Sequence, residues 1–414
     1  MNRNNKITWI YSFLICVLPF LSIYKSPING FSLGDVVIVI AFFVMAFKIR
    51  NKKIFCKENS MIFTFGIFLI LLITLSIIDR LYSYEYSKFI DTIVRSIKIL
   101  FYIIVAIIAC CTIDSNAMEK NIKILGIVSS MFVIIQFLLS KVGVNVFFVF
   151  RNMIYSNGIY DEDYYKTIIE SEFVRSGGLF LEPSHFCQYA IISLILFLFK
   201  KNKKITDYLL IFVCALAMII SGSIIGFICL AVTLFLYFIY LLFISKNKSE
   251  TLMICLIILC FSPYVYSIIK NSDFFEYAIS RTEGFTNGKN VVWNSRMKSY
   301  LTLFETNNNA VLLFGNGWGN TKEFLFYSSI AYILHCCGLS GAILFGIGCI
   351  SICVIFLLHK EYKYFTLSVI TMVLLSMTEI ITNIWIILFF SLIFIKLKNV
   401  KNFNNEKTLK NMEG

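Results

Sequence analysis

Residues 175–189 read Arg175-Ser176-Gly177-Gly178-Leu179-Phe180-Leu181-Glu182-Pro183-Ser184-His185-Phe186-Cys187-Gln188-Tyr189. This is a polar turn, softened by two glycines, that runs straight into an apolar helix expected from about Phe186 onward. An arginine, a glutamate and a histidine crowd the mouth of that hydrophobic run. Ionisable groups where a membrane helix meets water are costly, and they tend to mark function. Taken alone, the turn also reads as a loop and helix entrance, with Ser184 as N-cap just after Pro183. What settles the fold is the surrounding chain, which repeats the pattern of apolar run and polar connection.

Of the 414 residues, 58% are hydrophobic and 15% charged, and the mean hydropathy is +0.81. Ordinary soluble domains carry about 25% charged residues, so a water-soluble domain of this length is excluded. Apolar runs of about 20 residues recur, each enough to cross a hydrocarbon core about 30 Å thick. The expected fold class is an all-α polytopic membrane protein, a single integral domain over 1–414 with neither a separate soluble part nor a linker. The first run, 7–24, resembles a signal-peptide core. It lacks a small-x-small cleavage site and another run follows at once, so it is read as a retained helix.

Spans are expected at 7–24, 30–47, 60–78, 90–111, 122–140, 186–200, 205–220, 223–244, 251–269, 337–358, 363–379 and 384–396, about twelve in all. The connections alternate in character. The short basic set, including Asn2–Lys6, Lys48–Lys57, Lys200–Lys204, His359–Lys363 and the tail from Lys396, holds the majority of the 37 Lys and Arg residues. Such connections face the cytoplasm, which puts both termini inside. The same rule accounts for most of the +13 net charge, and no nucleic-acid partner is implied. The 13 cysteines fall almost entirely inside apolar runs, where they act as small hydrophobes; neither a disulfide framework nor a zinc site is suggested.

Two long outer loops interrupt this regularity, at about 141–185 and 270–326. Loops of that length tend to be functional, and their aromatic residues (Tyr155, Tyr160, Trp293, Trp318 among them) give them something to pack. The first carries Tyr160-Asp161-Glu162-Asp163-Tyr164-Tyr165, rings and carboxylates that suit a sugar's C–H face and hydroxyls, and that also suit a plain membrane-interface loop. In the second, the apolar positions Val292, Met297, Tyr300, Leu301 and Phe304 follow helical spacing, so a surface-lying helix is expected with Arg296 projecting from it. The guanidinium is a planar fork that matches phosphate oxygens. Gly315-Asn316-Gly317-Trp318-Gly319 permits close backbone approach, but it follows no strand, which excludes a dinucleotide-binding reading.

Within the fourth span Asp91, Arg95 and Lys98 share one helical face. Pairing of Asp91 with Arg95 would leave Lys98 toward the bundle interior or a watery cavity, where an anion could sit. Asp35, Arg175, Arg281 and Arg296 are expected on the same outward side. Together these describe a cationic site for a phosphate-bearing lipid headgroup. The substrate-binding candidates are Arg175, Arg296, Arg281, Arg95, Lys98 and Tyr300, and the catalytic candidates are Glu182 and His185. Of the other histidines, His335 reads as a satisfied helix residue and His359 as structural. Three histidines are too scattered for a metal site, and no hydrolase, ATPase or metalloprotease motif is present.

The motif Arg175-Ser176-Gly177-Gly178-Leu179-Phe180-Leu181-Glu182-Pro183-Ser184, the later Ser295-Arg296 and Leu313-Phe314-Gly315-Asn316-Gly317, and the Gly338-Leu339-Ser340-Gly341 turn before a span resemble the O-antigen polymerase/ligase superfamily. The resemblance covers the layout of the chain, with specific motifs in a small part of it. It implies a fold similar to the GT-C membrane glycosyltransferases and a reaction outside the bacterial cytoplasmic membrane that joins sugar chains carried on undecaprenyl diphosphate. It also implies no metal or other cofactor, Arg175 and Arg296 as the basic residues, Glu182 as the motif carboxylate, and a flippase and a chain-length regulator as partners. Two departures, Ser221-Gly222-Ser223-Ile224 without the arginine after the serine pair and Tyr327-Ser328 where a His-Asn pair is common, favour the polymerase over the ligase branch.

A lipid-linked oligosaccharide flippase is the competing class. It would spread charges through many spans and keep its outer loops short, whereas here the polar residues gather in two long loops. A scaffold would not need Arg95 and Lys98 buried in a span.

Overall fold

The computed structural model describes residues 3–28, 31–49, 70, 86–144, 146, 176–244, 297–305, 308–319 and 326–412. Among them the chain is helical: α1 (Arg3–Leu21), α2 (Leu33–Ile49), α3 (Tyr86–Thr112), α4 (Ser115–Lys141), α5 (Pro183–Leu198), α6 (Ile205–Ile220), α7 (Ile224–Phe243), the short α8 (Asn309–Phe314), α9 (Ser329–Leu358), α10 (Tyr362–Met377) and α11 (Trp385–Met412). No strand forms among the described residues beyond one isolated bridge, Lys25 to Ser32. Helices occupy the expected runs except 251–269 and, apart from Ile70, 60–78, which lie outside the described residues.

Among the described residues four helices are long and apolar enough to cross a membrane: Arg95–Thr112 of α3, and α4, α7 and α9. Two of them carry an outward stripe at helical spacing. On α4 it is Ile124, Val128, Met131, Ile135 and Leu138; on α9 it is Ile343, Ile347, Ile350, Val354 and Leu358, with exposures of 39–73%. A contiguous apolar surface of that kind is stable against hydrocarbon rather than water.

The chain is built of two compact units, Met1–Ile122 with Ser295–Gly414, and Lys123–Asn294. In the second unit α5 is the core: all of its 16 residues except Ser184 and His185 are buried, and α6 and α7 pack on it. Small residues let the backbones close up, as lipid-embedded helices require. A Cβ on Gly126 of α4 would strike Ser193 of α5, and one on Gly226 of α7 would strike Cys187.

In the first unit α3 packs along α11, and α9 along α10. One end is clasped by charge. Glu119 accepts from Lys363 Nζ at 2.6 Å and from the Tyr364 hydroxyl at 2.5 Å, while Lys396 pairs with Glu361 at 2.8 Å. These contacts tie the connection that precedes α10 to the starts of α4 and α10 and to α11.

The other end of this unit turns on a break in α9. Gly338 has φ +67 and ψ −170, a conformation that side-chain-bearing residues rarely adopt. The break frees the carbonyls of His335 and Cys336 from their helical partners, and the Asn316 and Gly317 N–H groups supply bonds to them at 2.9 and 3.0 Å. The approach is close enough that a Cβ on Gly315 would meet the Cys336 carbonyl, and one on Gly338 would meet the Leu313 carbonyl. Ser340 Oγ donates to that same Leu313 oxygen at 2.7 Å. The Gly338–Gly341 turn therefore sits at a kink in α9, between a short first limb and the long apolar limb that follows it. The helix begins at Ser329, eight residues before the expected 337, and is capped by Ser328.

Candidate functional site

The motif turn belongs to the Lys123–Asn294 unit. Phe180 N–H donates to Gly177 O at 3.0 Å, and Gly178 N–H donates to the Gln136 side chain at 2.9 Å. That glutamine in turn donates to Val146 O at 3.0 Å, so the turn is fastened to α4. Gly178 has φ +62, and a Cβ there would meet Val133 and the Ser129 carbonyl. Phe180 is buried, its ring 5.9 Å from that of Tyr189.

The helix entrance differs from expectation by two residues. Glu182 is the N-cap of α5, with extended backbone, and Pro183 takes the first helical position. There its missing N–H costs nothing, because the first helical N–H groups have no partner anyway. Ser184 lies inside the first turn and donates to Glu182 Oε2 at 2.8 Å. The His185 and Phe186 N–H groups donate to the Glu182 carbonyl at 3.1 and 3.2 Å. Glu182 and His185 are half-buried, one turn apart at the mouth of an otherwise buried helix. Arg175, Arg281 and Arg296 lie outside the described residues.

The other candidates lie in the first unit, where the structure corrects their partners. Asp35, 3% exposed, is the third residue of α2. Its carboxylate accepts from Ser32 N–H at 2.8 Å, while Ser32 Oγ accepts from Asp35 N–H at 3.2 Å. This reciprocal box fastens the helix start. The same carboxylate accepts from Lys98 Nζ at 3.0 Å, from Ser32 Oγ at 3.0 Å and from the Tyr102 hydroxyl. Lys98 is thus neutralised by Asp35 and is not left for an anion. Arg95 is exposed, not buried, and its Nη1 reaches Gly319 O at 3.5 Å. Tyr300 is an anchor: its hydroxyl bonds Ser328 Oγ at 2.7 Å and Ser376 O at 2.5 Å.

The segment 297–305 is held by these polar groups and by Thr302, whose Oγ1 lies 3.4 Å from His335 Nδ1. Ser299, Thr302 and Leu303 are buried, while Met297, Leu301 and Phe304 face outward. The expected amphipathic face is reversed because the hydrogen bonds to α9 and α10 decide which side faces in. His335, 2% exposed, also has Asn316 Nδ2 3.5 Å from its Nε2. It holds two segments onto α9 and is structural.

Sequence reasoning missed one ionisable residue at this end of the unit. Glu379 sits in the turn between α10 and α11. Ser329 N–H and Oγ donate to Thr378 O at 2.9 and 2.8 Å, and Ser329 Oγ accepts from Ile380 and Ile381 N–H at 2.7 and 3.1 Å. These bonds bracket Glu379. Thr382 Oγ1 donates to Glu379 Oε1 at 2.5 Å, and the Asn383 amide donates to its carbonyl. Desolvation raises the Glu379 pKa above the ordinary carboxylate value, with the Thr382 bond and the Arg95 charge pulling it down. Water still reaches the side chain, which screens these effects. The sign that could have revealed it is a carboxylate at the end of an apolar run. Trp318 is buried against Tyr332, their ring centroids 5.0 Å apart, and its N–H has no partner among the described residues.

In comparisons with known proteins, no family model matches the chain and no curated protein does.

Proposed function

We propose that the protein is a membrane glycosyltransferase that polymerises oligosaccharide repeat units carried on undecaprenyl diphosphate, acting at the outer face of a bacterial cytoplasmic membrane. The observation that carries this reading is the motif turn. Glu182 and His185 are set half-open at the entrance of a buried helix, fastened to α4 through Gln136, within the motif whose pattern resembles the polymerase/ligase superfamily. Topology supports it. The Lys363, Lys396 and Glu361 end of the first unit lies among the basic connections that face the cytoplasm. Arg95 and Glu379 lie at the opposite helix ends, the outward ones. On this reading the chain has about twelve spans and a GT-C-like fold, with both termini inside.

In the reaction a hydroxyl of one lipid-linked unit attacks the anomeric carbon of another chain, and the lipid diphosphate departs. Arg175, Arg281 and Arg296, with Arg95, meet the charge that develops on the diphosphate, a form of stabilisation that is worth several kcal/mol. The loop that carries Tyr160 supplies rings against which sugar faces stack. The motif's Glu182 and His185 engage the acceptor sugar and its hydroxyl.

The test is the size profile of surface polysaccharide. Deletion of the gene leaves surface glycan limited to single repeat units, and Arg296→Ala at normal protein level gives the same profile. Full-length chains stranded on the lipid carrier in the deletion strain would indicate a ligase, and repeat units trapped inside a flippase. Normal chain lengths with Arg296→Ala would refute the arginine's role.

A further inference from the structure

Glu379 shows the features of a working carboxylate more fully than Glu182 does. Its backbone is bracketed by Ser329, a residue buried to 0% exposure that spends its hydroxyl on three bonds to the 378–381 turn. One carboxylate oxygen is fixed by Thr382, and the other makes no hydrogen bond among the described residues. Arg95 lies near enough to act on Glu379 electrostatically, yet no salt bridge joins them. An acid and a base held apart, both open to solvent, leave room for a polar group between them. Glu182, in contrast, already accepts from Ser184 and sits at a local helix cap.

We propose that Glu379 is the catalytic base for the acceptor hydroxyl, with Arg95 facing the departing diphosphate. This rests on the glycosyl-transfer reading above and names its base. In the step, the hydroxyl proton passes to the unbonded oxygen of Glu379 as the hydroxyl oxygen forms its bond to the anomeric carbon. The bond from that carbon to the diphosphate oxygen breaks, and its electron pair leaves on the lipid diphosphate. The proton then returns from Glu379 to water, which reaches the side chain.

A base with a raised pKa suits this work, since it holds a proton more firmly than an ordinary carboxylate does. The charged and titratable groups facing Glu379 are Arg95 from α3 and the Tyr332 phenol from α9, and both sense its charge. The rate should rise with pH as the carboxylate ionises. Thr382 holds the pKa down, so Thr382→Val should move that rising limb to higher pH while sparing the plateau.

The experiment uses the full chain in lipid nanodiscs and, as probe, the lipid-linked single repeat units that accumulate in the deletion strain. Glu379→Gln is expected to lower kcat about 10²–10⁴-fold with KM little changed, and Glu379→Asp to restore part of it. A Glu379→Gln protein with near-normal kcat overturns the proposal. Should that variant fail to fold, Thr382→Val decides: a limb displaced upward supports the base, and an unmoved limb overturns it. If the wild-type protein joins no repeat units, the polymerase reading itself fails, a result distinct from activity that survives Glu379→Gln.

Discussion

Two carboxylates, Glu182 and Glu379, are held in turns at the ends of apolar helices, and their poses come from opposite kinds of contact. Glu182 is placed by its neighbours: Pro183 starts the helix, and Ser184, two residues on, holds the carboxylate. Glu379 is placed by Ser329, about fifty residues away in sequence, on the short limb of α9 that Gly338 sets off from the rest. A pose encoded locally survives damage to the surrounding fold, whereas one encoded at a distance depends on every link between its parts. Substitutions should therefore act more strongly around Glu379 than around Glu182.

The largest effect is expected from Gly338→Ala. A side-chain-bearing residue in the left-handed region costs roughly 1–2 kcal/mol, and here the new Cβ would lie 2.4 Å from the Leu313 carbonyl group. Backbone cannot rotate away as a side chain does, so the 315–319 turn must leave α9 and expose the His335 and Cys336 carbonyls. The thermal midpoint of detergent-solubilised protein should drop steeply and activity should vanish. A midpoint within a degree or two of wild type would show that the break in α9 is dispensable.

Ser329→Ala comes next. It removes one donor and one acceptor and orphans the N–H groups of Ile380 and Ile381 in a buried site. Each unsatisfied group costs about 1–3 kcal/mol. Because the 378–381 turn carries Glu379, kcat should fall further than the lost stability explains. Equal loss of kcat and folded protein would mean that Ser329 serves folding alone.

This asymmetry also explains what could be read from the chain beforehand. Apolar runs located the helices well: 205–220 coincides with Ile205–Ile220, and 223–244 with Ile224–Phe243. Patterns of i, i+4 spacing did less well where a distant partner decided the outcome. Lys98 looked unpaired because Asp35 is 63 residues away in sequence, yet the two form a bond of 3.0 Å. Tyr300 looked like part of a binding face, and its hydroxyl is instead committed to Ser328 and Ser376. Glu379 was hidden at the end of an apolar run because nothing near it in sequence announces Ser329. The motif turn, with its local cap, was the part most open to reading, and even there the cap was misplaced by two residues. Proline's preference for the first helical position, rather than serine's for the cap, set the boundary.

Gly178→Ala should cost less than Gly338→Ala, although both glycines have positive φ. At Gly178 the nearest atom to a new Cβ is the Val133 Cγ2, at 2.8 Å, with backbone no closer than 3.1 Å. A valine methyl can yield by a rotamer change or a small shift, so the main penalty is the roughly 1–2 kcal/mol of the left-handed conformation. The Gln136 bond to Gly178 N–H can persist. Partial activity and a moderate fall in midpoint are expected, and a collapse matching that of Gly338→Ala would erase the distinction between the two sites.

The smallest effect is expected from Ser184→Ala. The hydroxyl makes one bond, to a carboxylate that is only half-buried, so water can take its place at a net cost of about 0.5–1.5 kcal/mol. Alanine suits the first turn of a helix, which offsets part of that loss. The cap itself needs no side chain from residue 184, since the Glu182 carbonyl and Pro183 define it. Melting should barely change, and chain length should be close to normal if Glu182 only seats the acceptor. A loss of polymer as deep as that of Glu379→Gln, at unchanged stability, would move the proton transfer back to Glu182 and make the local turn the catalytic one.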